Sequence, residues 1–258
     1  MELENKIVEL KNISMKYHTL KKETLVINKL NLDVYNQEFV TIVGPSGCGK
    51  STILSIISGL IKPTEGEVNI NGKHLRSINN QTAYMLQKDY LFDWRNIQQN
   101  VLLGLEIKKK VTEKNKKYTI KLLKKYGLEK FLDCYPHQLS GGMRQKVALI
   151  RTLAINPRIL LLDEPFSAFD YQTRIAISEE IRQIIKKEKK TAILVSHDIS
   201  EAISLSDRII IMTNRPSRVK RVLEIKFDDQ TFNYEQKLKD KKFNKYFDII
   251  WNGLNDDE

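Results

Sequence analysis

The sequence predicts an α/β protein: a mainly parallel sheet covered by helices, an N-terminal antiparallel β region and a helical insert. Three observations carry that class. Strand-length apolar runs recur at Phe39-Val40-Thr41-Ile42-Val43, Ile159-Leu160-Leu161-Leu162, Thr191-Ala192-Ile193-Leu194-Val195 and Arg208-Ile209-Ile210-Ile211-Met212. Helical patterns separate them, notably Val147 to Ala154 and Ile175 to Ile185, which is the alternation of a parallel sheet. From Asp89 to about His137 strand texture vanishes, and lysine-rich helical spacing through Ile120, Leu122, Leu123, Tyr126 and Leu128 replaces it.

Taken in order, Ile7 to Tyr17 is partly alternating and strand-like, and Leu30-Asn31-Leu32-Asp33-Val34 alternates cleanly. Phe39 to Val43 is continuous, as a strand buried on both faces should be. Ile53, Leu54, Ile56, Ile57 and Leu60 then take helical spacing until Lys62-Pro63 stops it. Glu67 to Gly72 reads as a strand entering an Asn-Gly turn, and Ala83 to Leu86 as a short strand ending at Gln87. From Tyr234 onward, Leu238, Phe243, Phe247, Ile250, Trp251 and Leu254 recur at helical intervals, predicting one amphipathic terminal helix that packs on the core or on a partner.

The bulk numbers exclude several classes. With 258 residues, 41% hydrophobic and 29% charged, the chain reads as an ordinary soluble globular protein. Its longest apolar runs are too short to span a bilayer, and its first residues show no signal peptide. Cys48 and Cys134 lack metal-like spacing and read as reduced thiols of a cytosolic compartment. A net charge of +11 admits nucleic acid or an anionic membrane face as a neighbour. Yet Lys108-Lys109-Lys110, Lys116-Lys117, Lys124-Lys125 and Lys186-Lys187 sit among helical apolar positions, as solvated helix faces do. No basic stretch is interleaved with base-stacking aromatics, so no nucleic acid is expected.

The chemistry concentrates in Gly44-Pro45-Ser46-Gly47-Cys48-Gly49-Lys50-Ser51, followed by Thr52, which fits G-x-x-x-x-G-K-[ST] between a strand and a helix. Glycines let consecutive backbone N–H groups converge on an anion, and the helix N-terminus adds its dipole. Lys50 supplies a mobile charge for the β- and γ-phosphates, and the Ser51 hydroxyl can ligate Mg²⁺. Downstream, Asp163 ends a buried strand, where a carboxylate can hold a Mg²⁺ hydration shell, and Glu164 beside it can take a proton from an attacking water. Leu139-Ser140-Gly141-Gly142-Met143 precedes a helix with Ser140 as its N-cap. It reads equally as a second phosphate nest or as a capped turn.

In this order the motifs resemble those of the ATP-binding subunit of an ABC transporter, over residues 7 to 226. Gly44 to Ser51 resembles the Walker A loop, Gln87 the Q-loop glutamine and Leu139 to Met143 the ABC signature. Ile159 to Glu164 resembles the Walker B strand with its catalytic carboxylate, and Ser167-Ala168-Phe169-Asp170 the D-loop. Val195-Ser196-His197-Asp198 resembles the switch histidine segment, and Tyr17 the aromatic that stacks on adenine. The methionine of Leu139-Ser140-Gly141-Gly142-Met143-Arg144-Gln145 is similar to the nitrate, sulfonate and taurine importer group, which includes importers of pyrimidine thiamine precursors. So are Asp163 to Ala168, Gln172-Thr173-Arg174, Ser196 to Ala202, Asp207-Arg208 and Asn214-Arg215-Pro216. Met143 replaces the usual glutamine, and Phe169 replaces the usual leucine, which leaves its packing open.

The resemblance implies a P-loop ATPase core at residues 1–88 and 144–226. It places a helical subdomain carrying the signature at 89–143, and the periodicity adds the C-terminal amphipathic helix at 227–258. It also implies a head-to-tail homodimer, with ATP between the Walker A loop of one copy and the signature of the other. Tyr17 and Gly44 to Thr52 would bind ATP in cis, and Ser140, Gly141, Gly142 and Asp170 in trans. Ser51, Gln87 and Asp163 would arrange Mg²⁺. Lys50, Gln87, Glu164 and His197 would be the catalytic set, with Glu164 polarising water and His197 contacting the γ-phosphate. The implied partners are a transmembrane permease and, indirectly, an extracytoplasmic solute-binding protein. The implied location is the cytoplasmic face of the membrane. Tyr90-Leu91-Phe92-Asp93-Trp94-Arg95 would be either the permease-docking surface or core of the insert. A non-transport ABC ATPase acting on nucleic acid or the ribosome, and a small-molecule kinase, are the rival readings.

Overall fold

The computed structural model describes residues 5–19, 22–229 and 233–255. Met1 to Glu4, within the stretch expected to carry no signal peptide, lie outside them. In chain order the elements begin with β1 (Lys6–Thr19), β2 (Lys22–Tyr35), β3 (Phe39–Val43), α1 (Lys50–Ser58), β4 (Glu65–Ile70), β5 (Lys73–His74) and β6 (Thr82–Met85). Next come α2 (Ile97–Ile107), α3 (Glu113–Lys125), α4 (Gly141–Ala154), β7 (Ile159–Asp163), α5 (Tyr171–Lys187) and β8 (Thr191–Val195). The chain closes with α6 (Ile199–Leu205), β9 (Arg208–Met212), β10 (Val219–Glu224), α7 (Tyr234–Lys239) and α8 (Lys241–Asn255). They form two compact units, Met1–Asn79 with Arg182–Glu258, and Asn80–Ile181.

The first unit holds two sheets. The antiparallel one, ordered β2-β1-β4-β5, is the expected N-terminal β region. In the other, β3 lies between β8 and β9 and runs parallel to both, with β10 antiparallel at the edge. Every residue of β3 and of β8 is buried, which is why both read as unbroken apolar runs. Pairing Ile42 with Val195 and Val43 with Ile211 brings the C-terminal ends of β3, β8 and β9 to one sheet edge.

In the second unit β6 and β7 pair in parallel, from Thr82 with Ile159 to Met85 with Leu162. Helices α2, α3 and α4 pack on one another, and Val101, Leu105, Leu122, Leu123, Val147 and Ile150 on them are buried. The segment 89–143, expected to be helical, lies within this unit.

Two boundaries differ from the sequence reading. Helix α1 ends at Ser58, because Gly59 turns left-handed (φ 79°) and gives its N–H to Ile56 O. Leu60, expected in the helix, is instead exposed. The terminal helix is two helices, because Asp240 is extended (ψ 138°) and its carboxylate accepts the Lys242 N–H as a cap. Of the two placements expected for this terminal region, the described structure has α8 on the core. Phe243 and Ile250 join Ile203, Ile209 and Ile211 in one apolar cluster, while Trp251 stays outside it, stacked at 6.1 Å on Phe247.

Truncating Ile250 to Ala should therefore destabilise the chain by about 2–5 kcal/mol, seen as a lowered denaturant midpoint. Trp251→Ala, at a residue about half exposed, should cost clearly less than the Ile250 truncation. Equal losses for the two would mean that α8 does not use this face.

Candidate functional site

The candidate residues divide between the two units. Tyr17, Gly44 to Thr52 and His197 belong to the first, and Gln87, Ser140 to Gly142, Asp163, Glu164 and Asp170 to the second.

In the first unit the loop between β3 and α1 is closed around Lys50. Lys50 is 7% exposed, and its ammonium donates two of its three protons, to Gly44 O (2.7 Å) and Pro45 O (2.9 Å). Gly47 (φ 73°) and Gly49 (φ 114°) take left-handed conformations that an L side chain resists. Gly44 has a different reason: a Cβ there would sit 2.8 Å from Met212 Cβ and 3.0 Å from Cys48 Sγ. Gly49 caps α1 without any side-chain hydrogen bond, and the first turn carries no acid. The positive helix end is thus free of internal anions, as a phosphate site requires. Cys48 is buried in the loop, and burial pushes its thiol pKa up, keeping it protonated and inert. Ser46 and Ser51 complete the loop, and the Thr52 hydroxyl lies 3.4 Å from the Tyr17 hydroxyl on β1. His197 is exposed one residue past Ser196, whose N–H bonds Ile42 O (3.3 Å) at the end of β3. His197 and the loop therefore leave the same sheet edge.

In the second unit the groups are set by a hydrogen-bond relay. Asp163, half-buried at the end of β7, accepts the Tyr84 hydroxyl at 3.0 Å. Glu164 follows at φ 46°, a left-handed conformation unusual for a residue with a side chain. Ser167 anchors that turn, its N–H (3.2 Å) and Oγ (3.0 Å) both donating to Glu164 O. Gln87 Nε2 in turn donates to Ser167 Oγ at 3.0 Å, which leaves the Gln87 carbonyl oxygen as the acceptor end. Ser51, Gln87 and Asp163 are all oxygen donors, the kind a hard cation such as Mg²⁺ takes. Among the described residues no cluster of three His, Cys, Asp or Glu is built to hold a metal.

Ser140 caps α4, its hydroxyl accepting the Met143 N–H (3.3 Å). Gly141 and Gly142 are helical and serve close approach: added Cβ atoms would meet Phe169 Cε1 at 3.0 Å and Ile177 Cδ1 at 2.6 Å. The Phe169 ring thus lies over Gly141, which locates the packing of that departure from the family pattern. Asp170 accepts the Thr173 N–H (3.0 Å), and the backbone bond to Thr173 lowers its carboxyl pKa. Gln87, Ser140, Gly142 and Phe169 line one groove of about 790 Å³.

Several positioning residues escaped the sequence reading. Arg144 Nε binds Asp89 Oδ2 (3.0 Å), and Arg151 binds the carbonyls of Asp89 (2.5 Å) and Tyr90 (2.8 Å), tying the segment after Gln87 to α4. Asn100, fully buried, donates to Phe92 O, Arg95 O and Asn96 O and accepts the Phe92 N–H. It fixes the segment in which Leu91 is 8% exposed and Trp94 is 74% exposed, stacked on Phe92 at 4.7 Å. Partners 55 or 62 residues away leave no periodic trace; only an Asn inside an apolar helical pattern hints at Asn100.

The profile of the family described as "ABC transporter" matches residues 27–167. The chain is 42% identical over 244 residues to YtlC of Bacillus subtilis (strain 168), an uncharacterized ABC transporter ATP-binding protein, covering 95% of this chain and 94% of that one. It is 40% identical over 210 residues to SsuB of Bacillus cereus, an aliphatic sulfonates import ATP-binding protein, covering 81% of this chain and 82% of that one. Among solved structures it is similar to the ATP-binding cassette MJ0796 in a dimeric post-hydrolysis state bound to ADP and Pi. The TM-score is 0.72 and the identity 33%, covering 85% of this chain and 99% of that one. The α/β fold is that of a P-loop ATPase cassette. Matched by that profile over more than half of its residues and by a relative 42% identical along almost its whole length, the chain belongs to the ABC transporter family, as an ATP-binding subunit that hydrolyses ATP to ADP and phosphate.

Proposed function

We propose that this subunit energises an importer of a small solute, of the nitrate, sulfonate, taurine or pyrimidine-precursor type, by ATP-driven closure of a homodimer. The observation that carries the reading is the loop closed on Lys50 at an uncapped helix end, in a chain that also presents Ser140 and Gly142 on a separate groove. One nest would hold ATP in cis and the other would close on the partner copy's ATP. The dimeric state of MJ0796 supports that arrangement, and the 40% identity to SsuB supports import of the sulfonate type.

In this reading Lys50 and the loop amides hold the phosphates while Tyr17 meets the adenine. Ser51, Gln87 and Asp163 would hold Mg²⁺, which supplies charge neutralisation at the phosphates. Glu164, held by its turn, takes the proton of the attacking water as the bond to the γ-phosphate breaks. His197 contacts the γ-phosphate and registers its loss. Because ATP touches both copies only when they are closed, it favours that state by its differential affinity, and ADP, lacking the link, does not. Among the described residues no helix is long and apolar enough to cross a membrane. A permease must therefore form the pathway, with this subunit peripheral at the cytoplasmic face and an extracytoplasmic binding protein delivering solute. The exposed Trp94, braced by Phe92 and Asn100, is the proposed permease contact.

Three outcomes test this. Glu164→Gln should retain ATP, sediment as a dimer in ATP and hydrolyse roughly 10²- to 10⁴-fold more slowly; near-normal turnover would remove Glu164 from its role. Lys50→Ala should weaken ATP binding measured by equilibrium titration, and unchanged affinity would count against the loop. Trp94→Ala should fold normally but recover less permease in co-purification, whereas unchanged recovery would move the docking surface elsewhere. The permease and binding protein that accompany the wild-type chain identify the solute class.

A further inference from the structure

The turn from β9 to β10, Thr213 to Arg218, does more than join two strands. It is closed by Thr213 N–H on Arg218 O and Arg218 N–H on Thr213 Oγ1, both 3.0 Å. Buried Ser217 staples it to β2: its N–H (2.8 Å) and hydroxyl (3.2 Å) donate to Val26 O, and its carbonyl accepts the Asn28 N–H (3.1 Å). From this anchored turn Arg215 reaches the phosphate loop, where Nε (2.8 Å) and Nη2 both donate to Gly47 O.

That carbonyl belongs to a peptide unit held at its other end too. Its N–H, from Cys48, donates to Pro45 O (3.3 Å), the same oxygen that accepts Lys50 Nζ. Arg215 is thus linked through one clamped peptide to the acceptor of the phosphate-binding lysine. Orientation matters because a flip of this peptide would break the bonds at both of its ends and disturb the Pro45 carbonyl that also holds Lys50. The glycine that makes the loop possible, at φ 73°, also makes that flip easy. A guanidinium fork on Gly47 O opposes it, and brings a positive charge to the loop. The second left-handed glycine rests on the same structure, since a Cβ on Gly49 would meet Val26 Cγ1 at 2.8 Å.

We infer that Arg215 is a positioning residue for nucleotide binding: it locks the Gly47–Cys48 peptide and thereby ties the phosphate loop to the antiparallel sheet through the Thr213 to Arg218 turn. The inference rests on the proposed role of Gly44 to Ser51 and adds a residue outside that loop. Arg215 acts on how tightly ATP is held and leaves the water-activating step to Glu164.

The test uses the full chain with a fluorescent ATP analogue and Mg²⁺, and follows ATPase turnover at saturating ATP. Arg215→Ala should raise the Kd and KM about tenfold, the worth of one charge-assisted hydrogen bond, with kcat changed by less than about twofold. Arg215→Lys, which keeps the charge and a donor but loses the fork, should fall between, at roughly threefold. The melting temperature without nucleotide should stay unchanged in both, while its rise on adding ATP shrinks. Wild-type Kd and KM in both variants, or a loss confined to kcat, overturns the inference. Should Arg215→Ala fail to fold, the Arg215→Lys result decides alone, with wild-type affinity overturning the inference. Lys50→Ala in the same titration separates the two claims. If it binds normally, the loop assignment fails; if it binds weakly while the Arg215 variants bind normally, only the positioning role fails.

Discussion

The Lys50 ammonium inside its own loop is the interaction on which the first unit depends. A backbone anion site faces a basic difficulty: every N–H it offers comes with a carbonyl that an anion repels. Here Gly44 O and Pro45 O are taken by the ammonium and Gly47 O by Arg215, so the carbonyls have partners on the protein side. The charge that satisfies two of them is also the charge a phosphate seeks, and one proton of the ammonium is left to donate. Two parallel pairings hold the base of the loop, since β3 is hydrogen-bonded along both edges and buried along its whole length. A glycine-bearing loop is therefore mounted on a strand that is paired on both sides and buried throughout.

The second unit solves a different problem by different means. Around the signature no left-handed glycine is used; Gly141 and Gly142 are absent side chains that let Phe169 and Ile177 approach the first turn of α4. Tyr84 holds the Asp163 carboxylate, while Gln87 and Ser167 hold the backbone carbonyl of Glu164. Glu164 is one of four non-glycine residues in the unit with a left-handed backbone, with Tyr90, Lys109 and Asn156, and it is the one proposed to meet the attacking water. Arg144 and Arg151 extend the relay from the Q-loop region to the signature helix, with burial lowering the Arg151 pKa, partly offset by Asp89. Motion of either segment must strain charged hydrogen bonds to the other, a physical link between the proposed docking segment and the helix that Ser140 caps.

What sequence alone determined follows from local chemistry that repeats or stands in an unusual order. Buried parallel strands must be apolar on both faces, so β3, β7, β8 and β9 were legible as runs. A phosphate loop must carry glycines and a lysine at fixed spacing, so Gly44 to Ser51 was legible as chemistry. The order of the remaining motifs then supplied the family. Tertiary structure decided the rest, because the deciding partners lie far apart along the chain. Arg215 and Gly47 are separated by 168 residues, and Arg151 and Asp89 by 62, and no periodicity marks such pairs. Single-residue conformations were equally hidden. Gly59 ended α1 before Pro63 was reached, and Asp240 split the terminal helix, because a left-handed glycine and a side-chain cap outweigh the preference of their neighbours to continue. The placement of α8 on the core, and of Trp94 outside it, was decided only by what the fold had available to cover each face.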